Sequence, residues 1–425
     1  MKQNIGTFSI LALVVLTVVV WLVFPPVNDG RENFVRAYAG EVIGSINIVL
    51  MACSLVLAAR PKWAEPFFGG LDKMYVTHRH TSTAAFLLVF VHILTVPIST
   101  NWSLGNYLAV AAATGIASIS LISLSPRIPF LNRLTGGTYE GWKNLKKTIG
   151  IFFVIAFIHA VTLKDPLKAF VAINWVQAFV IIGAVAYVYT ELLGGLFKKR
   201  LAYTVEAVNR PNHSTTEVVL RAKKTPIQKH RAGQFLFVRF PGERTLNESH
   251  PFTISSAPRE DVLRVTVKAS GDFTRALFHQ LQPGTDAVVE GAHGMFDYKT
   301  GGQKQIWIAG GIGLTPFLSF LRDMDGNLDH DVDFYYTVRH REEALFLDEI
   351  QSAAAKEPRL RVHIRSSATD GSLTIEEIVK NAGGDVRAHH VYMCGPFAMV
   401  QAFEQKFLAL GVPAKNIHDE EFNFR

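Results

Sequence analysis

The chain has 425 residues, of which 49% are hydrophobic and only 19% charged, and its formal net charge is +7. Average globular chains carry roughly a quarter charged residues. The composition excludes a disordered polyelectrolyte and speaks against a wholly soluble enzyme, while the length suits two or three domains.

Six nearly uncharged apolar stretches fill the first 200 residues: Phe8–Phe24, Val42–Ala59, Ala84–Pro97, Leu104–Leu124, Ile149–Leu163 and Phe170–Leu193. A helix crossing a hydrocarbon core of about 30 Å needs about 20 largely apolar residues. Four stretches fit directly, and the third and fifth reach that length with mixed flanks. The first reads as an uncleaved helix rather than a signal peptide, because Phe24-Pro25-Pro26 follows it in place of a small-residue cleavage site.

Charge orients these spans. Residues 1–200 hold 17 Lys and Arg against 8 Asp and Glu, a net +9, and the remainder holds −2. With the N-terminus inside, the inner segments collect Lys2, Arg60, Lys62, Lys73, Arg79, Arg127, Arg133, Lys143, Lys146, Lys147 and Lys198-Lys199-Arg200. The outer loops collect Arg31, Arg36, Lys164 and Lys168. That asymmetry follows the positive-inside rule and puts the C-terminal half in the cytoplasm. The basic excess is therefore a topology signal, and no basic patch with interleaved aromatics points to nucleic acid. Cys53 and Cys394 are the only cysteines, too few for a disulfide framework or a cysteine-rich metal site.

Ionisable residues inside membrane helices mark function by default. The third span opens with Thr77-His78-Arg79-His80 and carries His92, and the fifth carries His159. His78 and His92 are 14 residues apart, close to four turns, so they share a helix face about 21 Å apart along the axis. His80 is rotated from His92 by about 120°. His92 and His159 fall at matching depth on different helices, where two imidazoles can supply both axial ligands of a haem. Hydrogen-bonded packing histidines are the competing reading.

From Leu201 the pattern changes to short strands: Tyr203–Ala207, Thr216–Arg221, Gln234–Phe240 and Leu263–Lys268, separated by turn signals such as Arg210-Pro211-Asn212 and Pro241-Gly242. Such spacing predicts an antiparallel barrel. Farther on, strands at Ile306–Ala309, Val332–Thr337, Arg361–Ile364 and Val391–Met393 alternate with helical segments. That alternation predicts a parallel sheet with ligands at the strand C-termini. Gly310-Gly311-Ile312-Gly313-Leu314-Thr315-Pro316 follows a strand and opens a helix, which suits a pyrophosphate. Cys394-Gly395-Pro396 ends the last strand of the same unit.

His250-Pro251-Phe252-Thr253-Ile254-Ser255, Lys268-Ala269-Ser270-Gly271-Asp272-Phe273-Thr274, the Gly310–Pro316 turn and Cys394-Gly395-Pro396 stand in an order that resembles the FAD and NAD(P)H modules of the ferredoxin-NADP reductase superfamily. The His-Pro-Phe-Thr version behind six spans with paired histidines resembles the NADPH oxidase and ferric reductase family, particularly its bacterial members, over nearly the whole chain. The resemblance implies a multidomain fold in three parts. A six-helix transmembrane haem bundle spans 1–197, an antiparallel β-barrel FAD domain 198–300, and a Rossmann-like α/β nucleotide-binding domain 301–425.

By the same resemblance His250, Pro251, Phe252 and Thr253 border the flavin, and Lys268, Gly271 and Thr274 hold the FAD diphosphate. Gly310, Gly311, Gly313, Thr315 and Pro316 hold the nicotinamide dinucleotide. Cys394, with Gly395 and Pro396, lies near the nicotinamide, and Arg339 suits the 2′-phosphate of NADPH, with NADH the other donor. Phe422, preferred to Phe424, is the aromatic that covers the flavin. Cys394, Thr253 and Phe422 thus border the reacting rings.

The resemblance further implies an outer haem b ligated by His92 and His159, and an inner one for which His78 is the only histidine. Family members carry a second histidine 13 or 14 residues before the one in the fifth span, and Lys146 and Leu145 stand at those places here. An ionised lysine has no free lone pair for iron. The implied activity passes electrons from cytoplasmic NAD(P)H through FAD and haem to dioxygen, giving superoxide, or to a ferric chelate outside. A non-catalytic haem-sensing module and a quinone- or partner-dependent reductase are the rival classes. The implied setting is a multi-pass bacterial inner membrane, with the N-terminus and dehydrogenase domains cytoplasmic and with no obligatory protein partner. Replacing Arg339 by Ala is expected to weaken NADPH more than NADH in binding titrations; equal loss for both would remove its phosphate role.

Overall fold

The computed structural model describes residues 5–97, 102–124, 147–162, 167–194, 200–227, 230–324, 326 and 328–420. The chain divides into two compact units, one of residues 2–69 and 73–197 and the other chiefly of residues 198–425. Phe422, Phe424, Leu145 and Lys146 lie outside the described residues.

Helices occupy all six apolar stretches of the first unit: α1 (Ile5–Val23), α2 (Phe34–Ala58), α3 (Leu71–Thr95), α4 (Leu104–Leu124), α5 (Ile149–Val161) and α6 (Phe170–Val188). Among the described residues four of them, α1, α2, α4 and α6, are long and apolar enough on their own to cross a membrane. The third is a 25-residue helix whose first half carries Asp72, Lys73, His78, Arg79 and His80, which explains why hydropathy marks only its second half. Helix α5 has 13 described residues.

Between apolar helices in lipid, close packing and hydrogen bonds replace the hydrophobic drive. Phe152 fills the space beside Gly115, Tyr187 that beside Gly150, and Phe153 that beside Gly183. Trp21 Nε1 donates to Ser45 Oγ at 2.9 Å and Trp175 Nε1 to Thr17 Oγ1 at 3.0 Å, which ties α1 to α2 and to α6.

The second unit opens with an antiparallel sheet of β1 (Leu201–Asn212), β2 (Thr215–Ala222), β3 (Phe235–Arg239), β4 (His250–Thr253), β5 (Val262–Lys268) and, after helix α7 (Asp272–Gln280), β6 (Asp286–His293). The strand order is β4-β3-β6-β1-β2-β5, and an antiparallel bridge between Ile254 and Val265 joins the two edges. Val205, Val218, Leu220, Leu236, Val238, Val265 and Val289 turn into one core.

Next come β7 (Lys304–Gly310), α8 (Thr315–Met324), β8 (Asp331–Val338), α9 (Leu347–Lys356), β9 (Leu360–Ser366), α10 (Ile375–Asn381), β10 (His390–Cys394), α11 (Phe397–Ala409) and β11 (Ile417–Glu420). The strands form a parallel sheet in the order β11-β10-β7-β8-β9. Successive residues of a strand face opposite sides. Trp307, Phe334, Tyr336 and Tyr392 accordingly join Phe317 and Phe320 of α8 on one face. Ile306, Ile308, Tyr335 and Val391 join Ile378, Phe403 and Phe407 on the other. All eight expected strands form; β4, β6 and β11 are additional.

One cation locks the antiparallel sheet to the parallel one. Arg322 on α8 donates to Glu349 at 2.6 and 2.9 Å, to Glu217 of β2 at 3.2 Å and to the Ser255 carbonyl at 2.9 Å. Beside it Ser319 Oγ donates to the Ser256 carbonyl at 2.7 Å. Removing one partner of a buried ion network costs about 3–5 kcal/mol. Arg322→Met is expected to lower the unfolding free energy of the second unit by that order in denaturant titrations; a loss under about 1 kcal/mol, the value of a surface pair, would show that Arg322 is not the lock.

Candidate functional site

The histidine site in the first unit is built by backbone carbonyls. His92 Nδ1 lies 2.9 Å from the Gly40 carbonyl of α2, and His159 Nδ1 lies 2.9 Å from the Gly105 carbonyl of α4. A carbonyl only accepts, so each Nδ1 carries the proton and each Nε2 keeps its lone pair. That tautomer is the one a metal-bound imidazole adopts, with its outer nitrogen bonded and its ring orientation fixed. The donor set therefore fits a haem held between α3 and α5.

Glycine makes the seat possible on α2. A side chain at Gly44 would meet the His92 ring at 3.1 Å. Arg36 fastens the end of the same helix: its guanidinium donates to the carbonyls of Leu94, Thr95 and Val96, just past His92. His78 has a seat of the same kind, with Nδ1 3.0 Å from both the carbonyl and the hydroxyl of Ser54. Among the described residues no cluster of three or more His, Cys, Asp or Glu side chains could hold a metal ion. A haem, whose porphyrin supplies four ligands, needs only the two imidazoles.

In the second unit the sequence motifs converge. Strand β4 carries His250-Pro251-Phe252-Thr253 alongside β3, with Thr253 opposite Phe235. The His250 ring stacks on Phe273 with centroids 3.8 Å apart, and Phe252 stands 6.2 Å from the same ring. His250 Nε2 lies 3.4 Å from the Glu248 carboxylate. The first two FAD motifs are thus in contact. Gly271 precedes the first turn of α7, and the Thr274 hydroxyl accepts from the Gly271 and Ser270 amides at 2.8 and 2.9 Å. Thr274 therefore shapes the helix start. Lys268 Nζ is 3.7 Å from Glu343.

The glycine-rich turn and Cys394-Gly395-Pro396 end neighbouring strands, with Ala309 opposite Cys394. A side chain at Gly313 would overlap the Cys394 carbonyl, and one at Gly310 would press Pro396 Cδ at 2.8 Å. Gly311 is different: its φ is +54° and nothing stands within 4 Å of a side chain there. Gly311 is where a ligand backbone approach is open, and Gly313 is where two chain turns need the room. Thr315 is buried at the start of α8 with its hydroxyl 3.2 Å from the Ile312 carbonyl, and Pro316 follows it in the first turn, where proline is tolerated. Arg339 lies just past β8, its carbonyl bonded to Ser366 Oγ and the Ala368 amide and its side chain exposed.

Glu420 is a buried carboxyl that the motifs did not mark. It ends β11 opposite Cys394, and burial pushes its carboxyl well above the ordinary carboxylate range. Thr253 is near enough to favour the charged form slightly, yet the geometry is not that of a hydrogen bond. Thr253 Oγ1 and Glu420 Oε2 are both buried without a hydrogen-bond partner. Such orphaned polar atoms fit the polar edge of a flavin. Cys394 is fully buried, and burial first, then Glu420 and Asp419, push its thiol well above its usual value, so it stays a neutral thiol.

Flavin- and nicotinamide-binding oxidoreductase modules joined to a helical membrane component define the class. A family model for a ferric reductase like transmembrane component matches residues 43–107, one for an FAD-binding domain residues 201–307, and one for an oxidoreductase NAD-binding domain residues 307–405. In this combination the chain belongs to the ferric reductase and NADPH oxidase-like proteins with a ferredoxin-NADP reductase-type dehydrogenase. The ferredoxin reductase component of 3-ketosteroid-9-alpha-monooxygenase from Rhodococcus rhodochrous is 27% identical over 226 residues, 52% of this chain and 64% of that protein. Flavohemoprotein A from Dictyostelium discoideum is 24% identical over 266 residues, 58% of this chain and 66% of that protein. The chain thus spans under two thirds of these relatives' lengths. The crystal structure of flavohemoglobin from Malassezia yamatoensis, with bound FAD and heme, matches with a TM-score of 0.51 at 16% identity, over 92% of this chain and 96% of that one; the likeness is one of fold.

Two tests follow from this geometry. An alanine at Gly311 adds about 1–2 kcal/mol of left-handed strain, and it is expected to weaken NADH and NADPH binding more than it lowers the melting temperature. Gly313→Ala, an overpacking change of about 1–3 kcal/mol, is expected to do the reverse; the opposite pattern would exchange their roles. Because folding raises the Glu420 carboxyl above 4.5, wild-type stability declines as pH rises through that value toward the native one. Glu420→Gln is expected to flatten the decline in melting temperature, and an unchanged pH profile would mean that Glu420 is ionised in the fold.

Proposed function

We propose that the protein carries electrons from cytoplasmic NAD(P)H through FAD and haem b to dioxygen on the outer side of a bacterial inner membrane, releasing superoxide. One observation carries this reading: His92 and His159, on separate helices, both have Nδ1 bound to a backbone carbonyl, and the same chain holds the FAD- and NAD-binding modules. When bound, FAD would supply the conversion of a hydride into single electrons, and haem their one-at-a-time transfer.

The chain's own residues position these groups. Gly311 and the amide end of α8 face the dinucleotide phosphates, and Arg339 favours NADPH through its 2′-phosphate. Cys394, kept a neutral thiol, and Glu420, whose carboxyl is pushed up by burial, wall the nicotinamide side, and the unpartnered Thr253 Oγ1 and Glu420 Oε2 serve the flavin edge. Gly40 and Gly105 hold the two imidazoles in the ligating tautomer. With His92 and His159 both as ligands, the outer haem would offer no free iron position, and the acceptor would need only outer-sphere contact. Each NADPH gives up two electrons and one proton, and two dioxygen molecules take one electron each.

Reduction of a ferric chelate is the second reading, favoured by the match of residues 43–107 to a ferric reductase like component. Neither reading calls for an obligatory protein partner. Purified protein in detergent is expected to oxidise NADPH steadily and to reduce cytochrome c in a manner abolished by superoxide dismutase. Ferric chelate reduction that dismutase leaves intact would select the second reading. Absence of NADH and NADPH oxidation with FAD bound would contradict both.

A further inference from the structure

We propose that His78 is the single protein ligand of a second, inner haem, whose opposite coordination position is open to small ligands of the carbon monoxide, nitric oxide and cyanide class. The proposal rests on the haem reading above and departs from the paired-histidine pattern at this level.

Helix α2 repeats its seat at the spacing of the two histidines. Gly40 and Ser54, whose carbonyls receive His92 Nδ1 and His78 Nδ1, are 14 residues apart, as His78 and His92 are. On antiparallel helices this gives the same contact at two levels about 21 Å apart. At His78 the Ser54 hydroxyl also lies 3.0 Å from Nδ1, so the ring is fixed in the same Nδ1–H tautomer with its Nε2 lone pair retained. A histidine serving only to pack would not need the geometry of its neighbour reproduced.

The opposite side is not repeated. From residue 93 to residue 158 the chain contains no His, Met or Cys. Every soft or imidazole ligand that α4, α5 and their connection could bring across the bundle is therefore missing except His159 itself. Met51 and Cys53 sit on α2 and Met74 on α3, the helices that already hold His78 from its own side. Lys146, one of the two residues at the family's histidine spacing, has no lone pair to offer iron in its ionised form. Haem iron with one axial imidazole binds small ligands at the other position, as in globins.

The test uses the detergent-purified full chain with its haem and FAD, read by haem quantitation, electron paramagnetic resonance and the carbon monoxide difference spectrum after dithionite. The expected result is two haems per FAD, one low-spin and inert to carbon monoxide, one high-spin and reactive. His78→Ala should remove the reactive haem and leave the low-spin signal. Leu145→His should instead keep both haems and convert the reactive one to a low-spin, unreactive form, a gain that loss of folding cannot mimic. A wild type whose haem is all low-spin and unreactive, or a reactive haem that survives His78→Ala, would overturn the proposal. Survival of the low-spin haem in both His92→Ala and His159→Ala would instead overturn the parent reading, whatever carbon monoxide shows.

Discussion

A hydrogen bond from an imidazole Nδ1–H to a helix backbone carbonyl is the interaction on which the membrane half depends. It does two things at once. It compensates a polar group that would be costly in an apolar bundle, and it fixes which nitrogen keeps a lone pair. His92 on Gly40, His159 on Gly105 and His78 on Ser54 all use it at 2.9–3.0 Å. The seat demands close backbone approach, and Gly40 and Gly44 provide it on α2. From that constraint follow the spacing of α3 along α2 and the choice of small residues where helices would otherwise carry branched side chains.

In the flavin- and nucleotide-binding half the governing constraint is burial of uncompensated polarity. The sheet faces are ordinary cores, but the ends of β4, β10 and β11 bring Thr253, Cys394 and Glu420 to buried positions with orphaned oxygens on Thr253 and Glu420. A fold tolerates such groups where a ligand satisfies them. Arg322 keeps the two sheets that contribute them in fixed relation through Glu217, Glu349 and the Ser255 carbonyl. The rigid junction lets motifs from distant parts of the chain meet without a dedicated linker.

Much of this was legible in the sequence because it is periodic or compositional. Alternation marked eight strands, apolar length marked six helices, and charge gave the membrane half its own character. The histidines were legible because an ionisable residue stands out in an apolar run. Their seats were not: Gly40, Gly105 and Ser54 act through main-chain carbonyls, which every residue has. Helix α3 extends back to Leu71 because a helix accepts polar residues that hydropathy excludes. Strand β4 is four residues with a proline, and β11 reads Ile-His-Asp-Glu, so neither shows alternation. Glu420 carries no sequence signal because its burial comes from a neighbouring strand in space, not from local sequence.

The central claim is that flavin and haem form one electron path. Rapid mixing of the purified, oxygen-free protein with NADPH tests it most directly, with flavin and haem absorbance followed together. The account predicts flavin reduction followed by reduction of the haem, and haem reoxidation on admitting dioxygen. Flavin that bleaches fully while the haem stays oxidised would contradict it.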